Sequence, residues 1–233
     1  MEAEVLTQEE AITPFTHVNL GVSLANEGIY DEAEKEFRRA IRIDPDMFIT
    51  HYNYGIILGK MNRFKEAEIA YENAIKLTPQ IGLAQNNLGI VLTKLRKYEK
   101  AEETYRDAIR KLPSSSPYLP IVHLNLGKLL EDLKRYDEAK IEYMEAKRLD
   151  PKLKEAYINL GNLYVEQEAY EDAKKEYKEA LKIDFQMPNV HNNLGFVLTK
   201  LKRFEDAKAE FEQVIKLDSA YARAHYNLKE LKS

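Results

Sequence analysis

Along residues 156–164, apolar side chains return at the i, i+3, i+4 and i+7 spacing of one helix face. The spacing resumes over residues 170–183, carried by Ala173, Tyr177, Ala180 and Leu181. A short polar stretch, Gln167-Glu168-Ala169, breaks the pattern between them. Residues 152–188 therefore predict a helical hairpin. The pattern recurs at a fixed period. Asn19, Asn53, Asn87, Asn125, Asn159, Asn193 and Asn227 follow one another at steps of 34, 34, 38, 34, 34 and 34 residues. The first six each stand two residues before a glycine: Gly21, Gly55, Gly89, Gly127, Gly161 and Gly195. A constant period of this length means one supersecondary unit copied along the chain, not a domain folded around a central site.

Small and aromatic positions repeat with it. A glycine inside a helix costs roughly 1 kcal/mol against alanine, so six at equivalent places predict close approach of a neighbouring helix. Twelve residues after each glycine stands an alanine: Ala33, Ala67, Ala101, Ala139, Ala173 and Ala207. Seven further on come Ala40, Ala74, Ala108, Ala146 and Ala180, relaxing to Val214. Tyr30, Phe64, Tyr98, Tyr136, Tyr170 and Phe204 begin the second helices, and Phe37, Tyr71, Tyr105, Tyr143, Tyr177 and Phe211 follow seven residues later. Pro45, Pro79, Pro113 and Pro151 close four hairpins, with Phe185 and Ser219 in the last two.

This combination resembles the tetratricopeptide repeat, and the resemblance covers nearly the whole chain from about Pro14. It implies an all-α fold, a right-handed α-solenoid of six helical hairpins plus a C-terminal capping helix. First helices would line a concave groove and second helices the convex back. The expected division is an acidic segment at 1–13, repeats at 14–47, 48–81 and 82–115, and an insertion at 116–119. Repeats at 120–153, 154–187 and 188–220 and a capping helix at 221–233 follow. Thr13 before Pro14 reads as an N-cap, and Thr7-Gln8-Glu9-Glu10 predicts a short extra turn over residues 8–12. The final segment carries Lys229 where glycine stood, which fits a cap with a polar outer face. The 38-residue step arises at Pro113, Pro117 and Pro120, read as a tolerated surface insertion, with a hinge between repeats 3 and 4 or a Ser116-Pro117 phosphorylation site as the alternatives.

Charge narrows the partners. The net charge of −4 has one source: Glu2, Glu4, Glu9 and Glu10 lie in residues 1–13 with no Lys or Arg. Without them 35 acidic face 35 basic residues, a neutral body that lacks the footprint nucleic-acid affinity needs. No nucleic-acid partner is expected. The absence of cysteine excludes disulfides, thiolate metal sites and a Cys nucleophile. No basic stretch leads into an apolar one, so no signal peptide is expected. No window approaches 18 consecutive apolar residues, so no membrane span or membrane partner is expected either. Cytoplasmic location is the resulting expectation.

All five histidines, His17, His51, His123, His191 and His225, occupy one repeat position, with Gln85 and Tyr157 filling it elsewhere. Packed helices sit roughly 8–10 Å apart, whereas zinc ligands lie about 2 Å from the metal, so one histidine per repeat makes no metal site. The position reads instead as packing against the preceding helix. No phosphate loop, HExxH or GxSxG is present, and three of the six serines sit in the insertion. No enzyme, no catalytic residue and no cofactor is expected.

By the resemblance, residues at fixed offsets from each glycine line the groove, and through four repeats they are mainly apolar, which marks a binding face. The family's clamp for acidic chaperone tails needs a lysine three residues before the glycine, and none stands there. The asparagine series resembles instead the groove asparagines in the superhelix of O-GlcNAc transferase, which hold an extended peptide by its backbone. A carboxamide offers both donor and acceptor to a peptide unit. Repeats roughly 10 Å apart would meet a chain rising about 3.3 Å per residue at every third residue. The same amides have a second use, in bonding a neighbouring helix of the scaffold. The expected function is a non-enzymatic protein–protein interaction scaffold binding a partner's peptide segment in its concave groove. Candidate contacts are Asn19, Asn53, Asn87, Asn125, Asn159 and Asn193 for the backbone. Ile49, Tyr52, Ile56, Leu83, Ile90, Ile121 and Leu124 would receive apolar side chains. The alternatives are a self-assembling homo-oligomer whose groove takes up Val5-Leu6, and an RNA-binding solenoid with steep salt dependence.

Overall fold

The computed structural model describes residues 13–80 and 82–231; the extra turn expected at 8–12 and the Val5-Leu6 segment lie outside them. Among the described residues the chain forms thirteen α-helices and no strand. It divides between Leu112 and Pro113 into two compact units. The first unit holds α1 (Pro14–Asn26), α2 (Tyr30–Ile43), α3 (Phe48–Lys60), α4 (Phe64–Leu77), α5 (Gly82–Lys94) and α6 (Tyr98–Lys111). The second holds α7 (Leu119–Asp132), α8 (Tyr136–Leu149), α9 (Lys154–Glu166), α10 (Tyr170–Ile183), α11 (Pro188–Lys200), α12 (Phe204–Leu217) and α13 (Ala222–Glu230).

Within each unit every helix packs against the next in sequence. First helices also touch each other, α1 with α3 and α3 with α5 in one unit, α7 with α9 in the other. Among the described residues no pair of second helices packs comparably, which puts the first helices on the inner side of each unit's curve.

The glycines permit the close packing of each hairpin. A Cβ built on Gly127 would stand 2.5 Å from Cε1 of Tyr143, and the aromatic sixteen residues after each of the other five meets its glycine in the same way. Tyr143, Tyr177, Phe37 and Phe211 are thereby fully buried. Each such ring contributes about 2–3 kcal/mol of apolar burial. The repeated alanines are wholly buried too, and a larger side chain there would push the helices apart.

Two backbone devices shape the connections. The turn inside each hairpin ends its first helix with a residue at positive φ: Gly28, Asn62, Arg96, Lys134, Glu168 and Lys202. The following N–H donates five residues back, as from Arg63 to the Leu58 carbonyl at 2.9 Å and from Arg203 to Leu198 at 2.8 Å. This is the Schellman closure of a helix C-terminus. Between hairpins, Asp44, Asp150, Asp184 and Asp218 each accept through Oδ1 the N–H two residues on, at 2.9–3.0 Å. Such Asx turns satisfy the backbone where the chain reverses.

The histidine position fastens these loops. His51 Nε2 bonds the Pro45 carbonyl at 2.8 Å, and His191 and His225 bond the carbonyls of Phe185 and Ser219 at 2.9 Å. Gln85 and Tyr157 donate to Pro79 and Pro151 in the same manner. Through Nδ1, His17, His123 and His191 also meet Glu36, Glu142 and Glu210 at 2.6 Å. The position is therefore a polar fastener, to the loop before its helix through Nε2 and to the second helix of its own hairpin through Nδ1, as well as a packing site. At the N-terminus Thr13 caps α1, accepting from Thr16 N while Thr16 Oγ1 accepts from Thr13 N. Ahead of α7, Ser116 N donates to the Pro113 carbonyl and Leu119 N to the Ser116 carbonyl, so the proline-rich stretch turns directly into the helix.

Candidate functional site

The inner face of the first unit is built from α3 and α5 with one edge of α4. Ile56 and Ile90 stand one residue after their glycines, and Asn87 two residues before Gly89. With Phe64 and Tyr71 of α4 they line a pocket of about 450 Å³. Lys60 and Lys94, in the last turns of α3 and α5, complete its rim. Asn87 Nδ2 donates to the Tyr52 hydroxyl at 3.3 Å, and Asn86 Nδ2 donates to Asn87 Oδ1 at 3.2 Å. Tyr52 is held in turn by stacking on Phe48 at 5.6 Å and by an edge contact with Tyr71 at 6.1 Å. Burial drives the Tyr71 hydroxyl pKa well above its usual value, so it stays protonated.

The inner face of the second unit carries more amides. Asn193 Nδ2 donates to Asn162 Oδ1 at 3.3 Å, and the same oxygen accepts from the Tyr177 hydroxyl at 2.7 Å. Asn227 Nδ2 reaches Asn192 Oδ1 at 3.1 Å. These groups share a pocket of about 620 Å³ with Phe196, Glu166, Arg223 and Tyr226. Nearby, burial raises the Glu131 carboxyl pKa, partly opposed by the hydrogen bond it accepts from Tyr143 at 2.5 Å.

The expected contacts divide on inspection. Ile49, Ile90 and Ile121 are open to solvent, and Tyr52, Ile56 and Leu83 are half-buried. Leu124 is 4% exposed and packs inward, leaving a ligand little surface. Asn19 is exposed, while Asn53, Asn87, Asn125, Asn159 and Asn193 are half-buried. Asn87 and Asn193 bond neighbouring helices, so the scaffold use of the amides is real. Asn159 Nδ2 is buried without a hydrogen-bond partner. Tyr71 and Asn162 were not among the candidates. Asn162 had a signal, since it occupies the offset of Ile56 and Ile90. Tyr71 is read as core by its spacing, and only the fold shows its edge at the pocket. Among the described residues no group of three His, Cys, Asp or Glu gathers as metal ligands, and no helix is long and apolar enough to cross a membrane.

Family models described as tetratricopeptide repeat match residues 14–47, 52–116, 121–153 and 188–221, and one described as TPR repeat matches residues 161–202. No curated protein sequence matches the chain. Among solved structures it is similar to pilF of Pseudomonas aeruginosa, at 19% identity over 93% of this chain and 97% of that one, with a TM-score of 0.78. It is similar to PilW, described as a type IV pilus biogenesis factor, at 14% identity over 94% and 98%, with a TM-score of 0.79. YrrB, described as a TPR protein with an unusual peptide-binding site, shares 19% identity over 83% and 97%, with a TM-score of 0.63. These likenesses bear on the fold, an all-α solenoid. With its hairpins packed in series within each unit and the family's models matching most of residues 14–221, the chain belongs to the tetratricopeptide repeat family.

Proposed function

We propose that the protein is a non-enzymatic interaction module that takes up a peptide segment of a partner on the inner face of its first helices. One observation carries this: Asn87, Ile56 and Ile90, which the family resemblance places on the groove, line one pocket with Phe64 and Tyr71. Apolar walls with a few placed polar groups are the usual make-up of a recognition site. The amide fixes an extended backbone and the walls receive a side chain. Members of the family mediate protein–protein contacts, and the similar YrrB is described as having a peptide-binding site.

The test is capture of partner proteins from source cells, mapped to short segments on a peptide array. Ile90→Asp places a charge on the pocket wall and is expected to weaken segment binding at least tenfold with an unchanged melt. Ile141→Asp, on the exposed face of second helix α8, is expected to leave binding intact. Equal binding by Ile90→Asp and the parent would sink the assignment.

A further inference from the structure

We infer that the α3–α5 pocket selects a segment in which an apolar side chain is flanked by aspartate or glutamate; this rests on the peptide reading above. The argument starts from charge. Lys60 and Lys94 sit at the pocket rim, both exposed, and no Asp or Glu lines the pocket. Neither ammonium meets a carboxylate among the described residues, and the Lys60 contact is the Tyr30 ring at 5.8 Å.

Four carboxylates of the second helices α2 and α4 pair with other cations of the first unit. Glu34 and Glu66 are held by Arg63 and Arg38, while Glu68 and Glu72 are held by Lys97 and Lys100. The helix dipole favours a lysine in a last turn, which accounts for its presence but not for a lining with two lysines and no Asp or Glu. The second unit differs at this register. Asp132, Glu166 and Lys200 replace a uniform pair of lysines, and its amide-lined pocket carries Glu166 together with Arg223. The cation excess belongs to the α3–α5 face.

Geometry turns this into a pattern. Adjacent first helices lie roughly 8–10 Å apart, about three residues of an extended chain. A side chain seated between Ile56 and Ile90 would thus have acidic neighbours one or two positions away on either side, within reach of the two ammonium groups. Two cations are far fewer than the phosphate contacts of a nucleic-acid site.

The probe is a phage-displayed library of random nine-residue peptides, selected separately on the full chain and on K60E/K94E. The full chain is expected to enrich Leu, Ile, Met or Phe with Asp or Glu within two positions. The charge-reversed protein is expected to enrich Lys or Arg at those positions. A synthetic peptide of the acidic consensus should bind K60Q/K94Q on the order of tenfold more weakly than the parent, since each exposed ion pair is worth a factor of up to about five. An apolar consensus with no charge bias, identical on both proteins, overturns the acidic preference and leaves the peptide reading standing. If no consensus emerges, or the selected peptides bind Ile90→Asp as well as the parent, both fail.

Discussion

Glu68 shows how single residues join successive repeats. It lies on α4, 7% exposed, and takes hydrogen bonds from Lys97 at 2.7 Å and Lys100 at 2.9 Å across to the next hairpin. Burial pushes its carboxyl pKa up, but the two ammonium groups outweigh that and hold it below the ordinary 4.5. A pKa lowered by folding stabilises the folded state at pH values above the unfolded pKa, and the contribution is lost as pH falls through the folded one. Glu68→Gln is therefore expected to unfold about 1 kcal/mol more easily than the parent at pH 7, the range of a partly exposed pair. The difference should shrink as pH falls below 4.5 and through the lowered folded pKa, where the parent's carboxylate takes up its proton. Urea titrations of both proteins at pH 7 and pH 3 make the comparison. A gap of the same size at both pH values would assign the effect to packing rather than charge.

At the scale of the hairpin, the glycine and the ring facing it set the distance between helices. Gly127 faces Tyr143, whose ring is buried and whose hydroxyl is held by Glu131, so the ring has nowhere to move. Gly127→Ala is expected to destabilise by about 2–3 kcal/mol through overpacking. Gly59, in the last turn of α3, has nothing within 4 Å of the added methyl, and Gly59→Ala should stabilise by up to about 1 kcal/mol. Guanidinium melts of the two variants test the contrast, and two changes of the same sign would refute it. This spacing was legible in the sequence because glycine, alanine and aromatic recur at one offset in every repeat. The Schellman turns were not, because Asn62, Arg96, Lys134, Glu168 and Lys202 take the left-handed conformation without being glycine. Their geometry comes from the backbone bonds on either side. The candidate site divides on the same line. Ile56, Asn87 and Ile90 follow from their repeat offsets together with the family resemblance, whereas the inward turn of Leu124 and the edge of Tyr71 depend on how the helices curve over one another.

For each unit, packing of every helix on its sequence neighbours makes stability a sum over hairpins and the interfaces between them. The division between Leu112 and Pro113 leaves three hairpins on each side, about the number a repeat array needs to hold itself together. The second unit has one advantage. Its α13 packs on α12, burying Ala224, and sets Leu228 and Leu231 against the apolar cluster around Leu194 and Phe211. In the first unit α1 leaves Phe15 60% and Leu20 49% exposed. Expressed separately, residues 1–112 and 113–233 are both expected to give helical circular dichroism spectra and cooperative thermal melts, with the higher midpoint for 113–233. Shortening the latter to 113–220 removes α13 and uncovers the apolar surface that Leu228 and Leu231 protect. At about 25 cal/mol per Å² of apolar surface, losing two partly buried leucines and an alanine amounts to roughly 2–3 kcal/mol, a midpoint drop on the order of 10 °C in a fragment of this size. A 113–220 fragment that melts where 113–233 does would show that α13 is no cap, and an unfolded 1–112 would show that three hairpins are too few for this sequence.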